Sequence, residues 1–312
     1  MHRKAVSLLI LSVIGLTLPA ISTACQSKPA VDRGLRLLAV ETFLADITQN
    51  VAGDRLEVEA LMPLGADPHS FEPTPQDVAR VAESDVLIVN GAGFEEFLIP
   101  LLQNAGGKRL VIEASAGLTP RVPPAGEDAS SNEDPEGDPH FWLNPIYTIR
   151  YAENIRDGLS QVDPAGKDIY NRNAQAYITQ LRDLDTWIGA QVAQIPVEGR
   201  LLVTNHESFG YFADRYGFRV VGAIIPSVST SASPSAQQLA ALINQIKASG
   251  APAIFLETGT NPQMAQQIAG ETGVRVVTGL YTHSVSAAEG PAPTYIELMR
   301  YNASQIVEAL KE

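Results

Sequence analysis

Cysteine is nearly absent. The 312 residues contain one, Cys25, which excludes an intramolecular disulfide framework and leaves no thiolate cluster for a metal. Basic side chains are in deficit, 22 Lys and Arg against 35 Asp and Glu, for a net charge of −13. So acidic a chain lacks the basic footprint that a nucleic-acid partner would require. Aromatic residues are only 6% of the total. No apolar run is long enough to cross a bilayer comfortably. The HExxH helix of metalloproteases and the Gly-x-Ser-x-Gly nucleophile elbow are missing as well. Histidine is also scarce: the five are His2, His69, His140, His206 and His283.

What is present begins with an export signal, residues 1–24. His2-Arg3-Lys4 form its positive start, and Ala5–Pro19 its apolar run. Cys25 follows Ser22-Thr23-Ala24 directly. Small residues before a cysteine read as a bacterial lipoprotein cleavage site, with residues 25–33 as a tether from a lipid on Cys25 to a soluble body. Ordinary cleavage after Ala24, leaving a spare thiol, is the alternative.

The length suits two domains. From Leu35 to Glu113, apolar strands alternate with helical patterns, the signature of a parallel sheet covered on both faces. Thr74-Pro75-Gln76-Asp77 carries a capping box that opens one of these helices. Pro120–Pro139 has the acidic, Pro- and Gly-rich composition of a solvated insertion. From Pro145 to about Ile195 the pattern is helical, broken near Val162-Asp163-Pro164. Its second half, with Tyr170, Tyr177, Leu181, Leu184, Trp187 and Ile188 at helical spacing, predicts about 45 Å of helix with its aromatics in a core. A second strand–helix series runs from Leu201 to Leu310. The expectation is an α/β protein with an N-terminal βα lobe (34–145), a linking helical segment (146–196) and a C-terminal βα lobe (197–312).

Outside the leader, each histidine falls where a strand or loop gives way to a helix, two in each lobe. Ligands in doubly wound sheets gather beyond the carboxyl ends of the strands, so all four point to the cleft between lobes. A single histidine at a helix start is usually a surface or capping residue. Four in equivalent positions, with no others in the mature chain, read better as one metal site. Four imidazoles without thiolate suit tetrahedral Zn²⁺; Cu²⁺ and Ni²⁺ also bind such nitrogens, whereas Mn²⁺ prefers more oxygen.

Several motifs, in order, carry a resemblance. They are Asp67-Pro68-His69 with Glu72–Asp77, Asp138-Pro139-His140-Phe141-Trp142-Leu143-Asn144-Pro145, Thr204–Phe212 with Tyr216-Gly217, Phe255-Leu256-Glu257, and Tyr281-Thr282-His283-Ser284. Together they resemble the metal-binding lipoprotein receptors of bacterial ABC importers for zinc and manganese, over nearly all of the mature chain. The resemblance implies two βα lobes bridged by a long helix, with metal held between them and delivered to a membrane permease. It implies histidine ligands at His69 and His140, and a histidine or glutamate ligand at the position of His206. At the position of His283 the family often has aspartate, so histidine here makes the implied shell all nitrogen. Neutral ligands around a dication call for nearby carboxylates, and Glu257 is the candidate, a helix-capping or inter-lobe hydrogen bond being its alternative. The expected protein is a monomeric, exported zinc receptor, anchored by lipid, with no nucleic-acid partner. Manganese or iron(II) as cargo is the closer alternative, and a zinc-dependent hydrolase the remoter one.

Overall fold

In the computed structural model, which describes residues 34–121 and 137–311, each lobe carries a four-stranded parallel sheet. The N-terminal sheet comprises β1 (Leu37–Ala39), β2 (Val58–Ala60), β3 (Val86–Val89) and β4 (Leu110–Glu113), in the order β2-β1-β3-β4. The C-terminal sheet repeats that order as β6-β5-β7-β8, from β5 (Leu201–His206), β6 (Arg219–Ile225), β7 (Ala253–Glu257) and β8 (Arg275–Leu280). All eight strands expected from the sequence are present. In both sheets the direction of winding reverses between the first and third strands, which opens a crevice at their carboxyl ends. The four inner strands β1, β3, β5 and β7 are buried throughout, as expected of parallel strands covered on both faces.

Helices cover the sheets where the apolar spacing directs them. On α1 (Thr42–Ala52), Phe43, Leu44, Ile47 and Val51 are buried, and Gly53 stops the helix at φ 61°. There only glycine is free of strain, and a Cβ would lie 2.4 Å from the Asn173 amide nitrogen. The capping box at Thr74 and Asp77 opens α2 (Pro75–Glu83). In the N-terminal lobe, α3 (Leu98–Ala105) begins four residues later than the sequence suggests, because Glu95 is committed to a loop. In the C-terminal lobe, α6 (Gly210–Tyr216) starts three residues late, after the turn that follows His206. Ser235 and Thr294 cap α7 (Ala236–Ser249) and α9 (Tyr295–Leu310), while α8 (Gln263–Thr272) follows Pro262.

The linking segment is two helices. α4 (Pro145–Val162) packs on α1 and β4, and α5 (Lys167–Val192) packs on α1, α4 and α9, so α5 touches both lobes. Its 26 residues span about 39 Å, somewhat short of the expected length. Trp187 departs from expectation. It is half-buried, not in the core, with the Arg300 guanidinium 4.9 Å above its ring. One apolar core runs from Leu37 and Phe43 through Leu181 and Ile188 to Phe255 and Met299. Smaller clusters fill the outer face of each lobe. The expected leader (1–24), the tether with Cys25 (25–33) and most of the acidic insertion (122–136) lie outside the described residues. Among the described residues, no helix is long and apolar enough to cross a membrane.

Candidate metal centre

The two Asp-Pro-His triplets fold alike. Asp67 Oδ1 accepts the backbone N–H of His69 at 3.1 Å, and Asp138 Oδ1 accepts that of His140 at 3.0 Å. This is an Asx turn, in which an aspartate bonds the backbone two residues on. Each turn aims an imidazole into the cleft. His206 arrives as the last residue of β5, and His283 three residues beyond β8.

The four rings meet. Their six centroid separations are 5.5, 5.6 and 5.2 Å from His69, 5.1 and 5.6 Å from His140, and 5.1 Å between His206 and His283. Four points with nearly equal separations lie at the corners of a tetrahedron. One nitrogen from each ring falls within 4.8 Å of the others. The Nε2 of His140 is 3.2 Å from that of His206 and 3.5 Å from that of His283. A tetrahedral zinc with bonds of 2.0–2.1 Å sets its ligand atoms about 3.3 Å apart, so the cage has a fitting size. The Nε2 of His69 is buried and has no hydrogen-bond partner, an orphan that a metal bond would satisfy.

Carboxylates stand behind the rings. Asp138 Oδ1 is 2.9 Å from His140 Nδ1, and Glu257 Oε1 is 2.6 Å from His206 Nδ1. His283 Nδ1 lies 3.7 Å from Glu257 Oε2 and 3.8 Å from Asp67 Oδ1. An acid on Nδ1 leaves Nε2 as the donor and offsets the charge of a bound ion. Glu257 therefore sits where the sequence placed it, beside two histidines, and it caps no helix. The roles of Asp67 and Asp138 were missed, although a signal existed: aspartate two residues before histidine, with proline between, favours this turn.

Burial tunes the site. It pulls His69 down to about 3, helped by the charge of His206, and pulls His140 and His283 well below the usual histidine value. These three rings stay neutral near pH 7. Burial also acts to lower His206, but the Glu257 carboxylate overrides it and raises the pKa. Glu257 is opposed by burial, yet the same pairing draws it down to about 2. Burial lifts Asp138 to about 7.

The aromatic wall was legible only as motif. Trp142 is fully buried, stacks on Phe43 at 4.5 Å and donates its indole N–H to Thr282 O at 2.8 Å. It thereby ties the His140 segment to the His283 segment. Phe94 lies edge-on to His69 at 5.1 Å. Behind it, Glu95 accepts backbone N–H groups from Asn90 and Gly91, and Asn90 donates to Pro139 O at 3.1 Å. Beside the centre lies a cavity of about 240 Å³ lined by Asp67, Thr230, Glu257, Thr260 and His283.

The fold is two-lobed, and four buried histidines that could hold a metal ion meet at one nitrogen-rich centre. The family described as zinc-uptake complex component A, periplasmic (ZnuA), matches residues 38–309. The manganese-binding lipoprotein MntA of Halalkalibacterium halodurans is 34% identical over 280 residues, 89% of each chain. The metal ABC transporter substrate-binding lipoprotein ScbA of Streptococcus cristatus is 30% identical over 98% of this chain and 97% of its own. Among solved structures, the periplasmic zinc binding protein TroA from Treponema pallidum superposes with a TM-score of 0.79 at 28% identity, over 89% of this chain and 99% of TroA. The chain belongs to the ZnuA family of ABC-importer metal-binding proteins. That family is a substrate-binding component of transport, not an enzyme, so the hydrolase alternative falls away.

Proposed function

We propose that this protein is an extracytoplasmic receptor that captures one Zn²⁺ with His69, His140, His206 and His283 and delivers it to the permease of an ABC importer. The observation that carries this reading is the near-regular tetrahedron of four imidazoles. Zinc favours four-coordinate nitrogen shells, whereas Mn²⁺ favours more ligands and more oxygen. The carboxylates at hand, Asp138 and Glu257, face the Nδ1 atoms from outside the cage. Export through residues 1–24, a lipid on Cys25 and a monomeric state complete the reading. A second reading, a manganese receptor, is favoured by the name of the MntA relative.

Metal analysis of the full chain, with zinc and manganese in competition, separates the two. The zinc reading expects one tightly held zinc per chain, not displaced by excess manganese, and loss of the ion in His140→Ala. Preferential retention of manganese overturns it in favour of the second reading.

A further inference from the structure

Between β6 and α7 runs Ser227-Val228-Ser229-Thr230-Ser231-Ala232-Ser233, a stretch rich in hydroxyls and without charge. It is shaped by its own side chains: Ser227 Oγ accepts the N–H of Ser229 at 3.1 Å, and Ser229 Oγ that of Ser231 at 3.3 Å. Such turns fix a short loop without tertiary packing. Three consecutive residues then reach across the cleft into the other lobe. Ser229 donates to Glu96 Oε1 at 3.0 Å, Thr230 to Asp67 Oδ2, and Ser231 to the carbonyl of His69 at 2.8 Å.

These bonds converge on one histidine. The backbone N–H of His69 is held by Asp67 Oδ1, and Asp67 is held in turn by Thr230. The backbone carbonyl of His69 is held by Ser231. Both polar backbone groups of this residue thus depend on the opposite lobe. Among the described residues, carboxylates pair with the rings of His140, His206 and His283 but not with that of His69. His69 and His283 are also the two cage histidines with residual exposure, 7% and 8%, against 0% for His140 and His206. Thr230 and Asp67 line the cavity beside the centre, together with Glu257 and His283.

We propose that Ser229, Thr230 and Ser231 are positioning residues for His69, a strap that holds this ligand over the ion and sets the rate at which the ion leaves. The proposal rests on the metal-receptor reading. A cation bound by four rings leaves only when a ligand withdraws, and His69 is the ring held through hydroxyl bonds to its backbone and to Asp67, whereas His140, His206 and His283 each have a carboxylate near Nδ1. Opening the strap frees the loop bearing His69 at the solvent side, while His140 and His206 stay fixed by Asp138 and Glu257.

The test is zinc dissociation from the full chain into excess chromogenic chelator, followed by stopped flow. The double variant Thr230→Val with Ser231→Ala should release zinc about tenfold faster or more, since two cross-lobe hydrogen bonds are lost, one of them to a carboxylate. It should still bind one zinc per chain at saturation. The variant Thr230→Ser with Ser231→Thr, which keeps both hydroxyls, should release zinc at the wild-type rate. A double-variant rate within about twofold of wild type overturns the strap. Equal acceleration in the hydroxyl-keeping variant does so too, as does a matching loss of stability in the metal-free double variant. Wild-type chain that holds no zinc overturns the receptor reading itself. Wild-type chain that holds one zinc, with an unaltered rate in the double variant, overturns the strap alone.

Discussion

Of the four cage histidines, only His206 competes for a proton near neutrality. Its pKa is raised by Glu257, whereas burial holds His69, His140 and His283 neutral. Zinc needs the unprotonated nitrogen, so below the pKa of His206 each ion displaces its proton, and affinity climbs with pH until that pKa is passed. Asp138, at about 7, gives up its proton when the ion's charge arrives. Zinc binding at pH 6 should therefore release about one to two protons per ion. Calorimetry in buffers of different ionisation enthalpy measures this, and release of four, or of none, contradicts it. In Glu257→Gln the raising partner of His206 is gone, and release should fall by about one proton. The four candidate ligands were conspicuous in the sequence because histidine is scarce: only His69, His140, His206 and His283 lie beyond residue 24, and the fold brings those four together. Their proton affinities were not legible. They depend on which ring is buried beside which carboxylate, and Glu257 meets His206, 51 residues before it in the chain, only through folding.

Local signals that need no partner were read best. The Thr74 box follows from side chains bonding nearby backbone, the proline starts of α2 and α4 from a ring that fixes φ and lacks an N–H, and the break at Gly53 from a positive φ that glycine alone adopts freely. Thr74→Ala should destabilise the metal-free chain by about 1 kcal/mol in denaturant unfolding while zinc stoichiometry stays unchanged. A loss of bound zinc in that variant would contradict the separation between cap and site. Elements whose residues are claimed by side-chain contacts outside their own helix were read less well. Phe94–Phe97 has a helical pattern, yet Glu95 spends its carboxylate on the N–H groups of Asn90 and Gly91, and the helix waits until Leu98. Trp187 fits the apolar stripe of α5 by spacing, but Arg300 on α9 covers its face. Neither contact is visible without the fold.

For the molecule as a whole, the two βα series were legible, whereas the strand order that both sheets share came only with the fold. Nor was the continuity of the core legible. A single apolar cluster passes through α1, α4, α5 and α9 from one sheet to the other, so the lobes share packing that a wide hinge motion would tear. Scattering profiles of the metal-free and zinc-loaded chain should therefore nearly superimpose, and a large compaction on loading would contradict this. Local release of the His69 loop, not separation of the lobes, is then the economical way out for the ion. The central claim is the cage itself, and X-ray absorption at the zinc edge of the loaded chain tests it most directly. Four nitrogen neighbours at about 2.0–2.1 Å with imidazole scattering beyond them is the predicted spectrum. A shell of five or six ligands dominated by oxygen, or one that does not change when His283 is replaced by alanine, would contradict it.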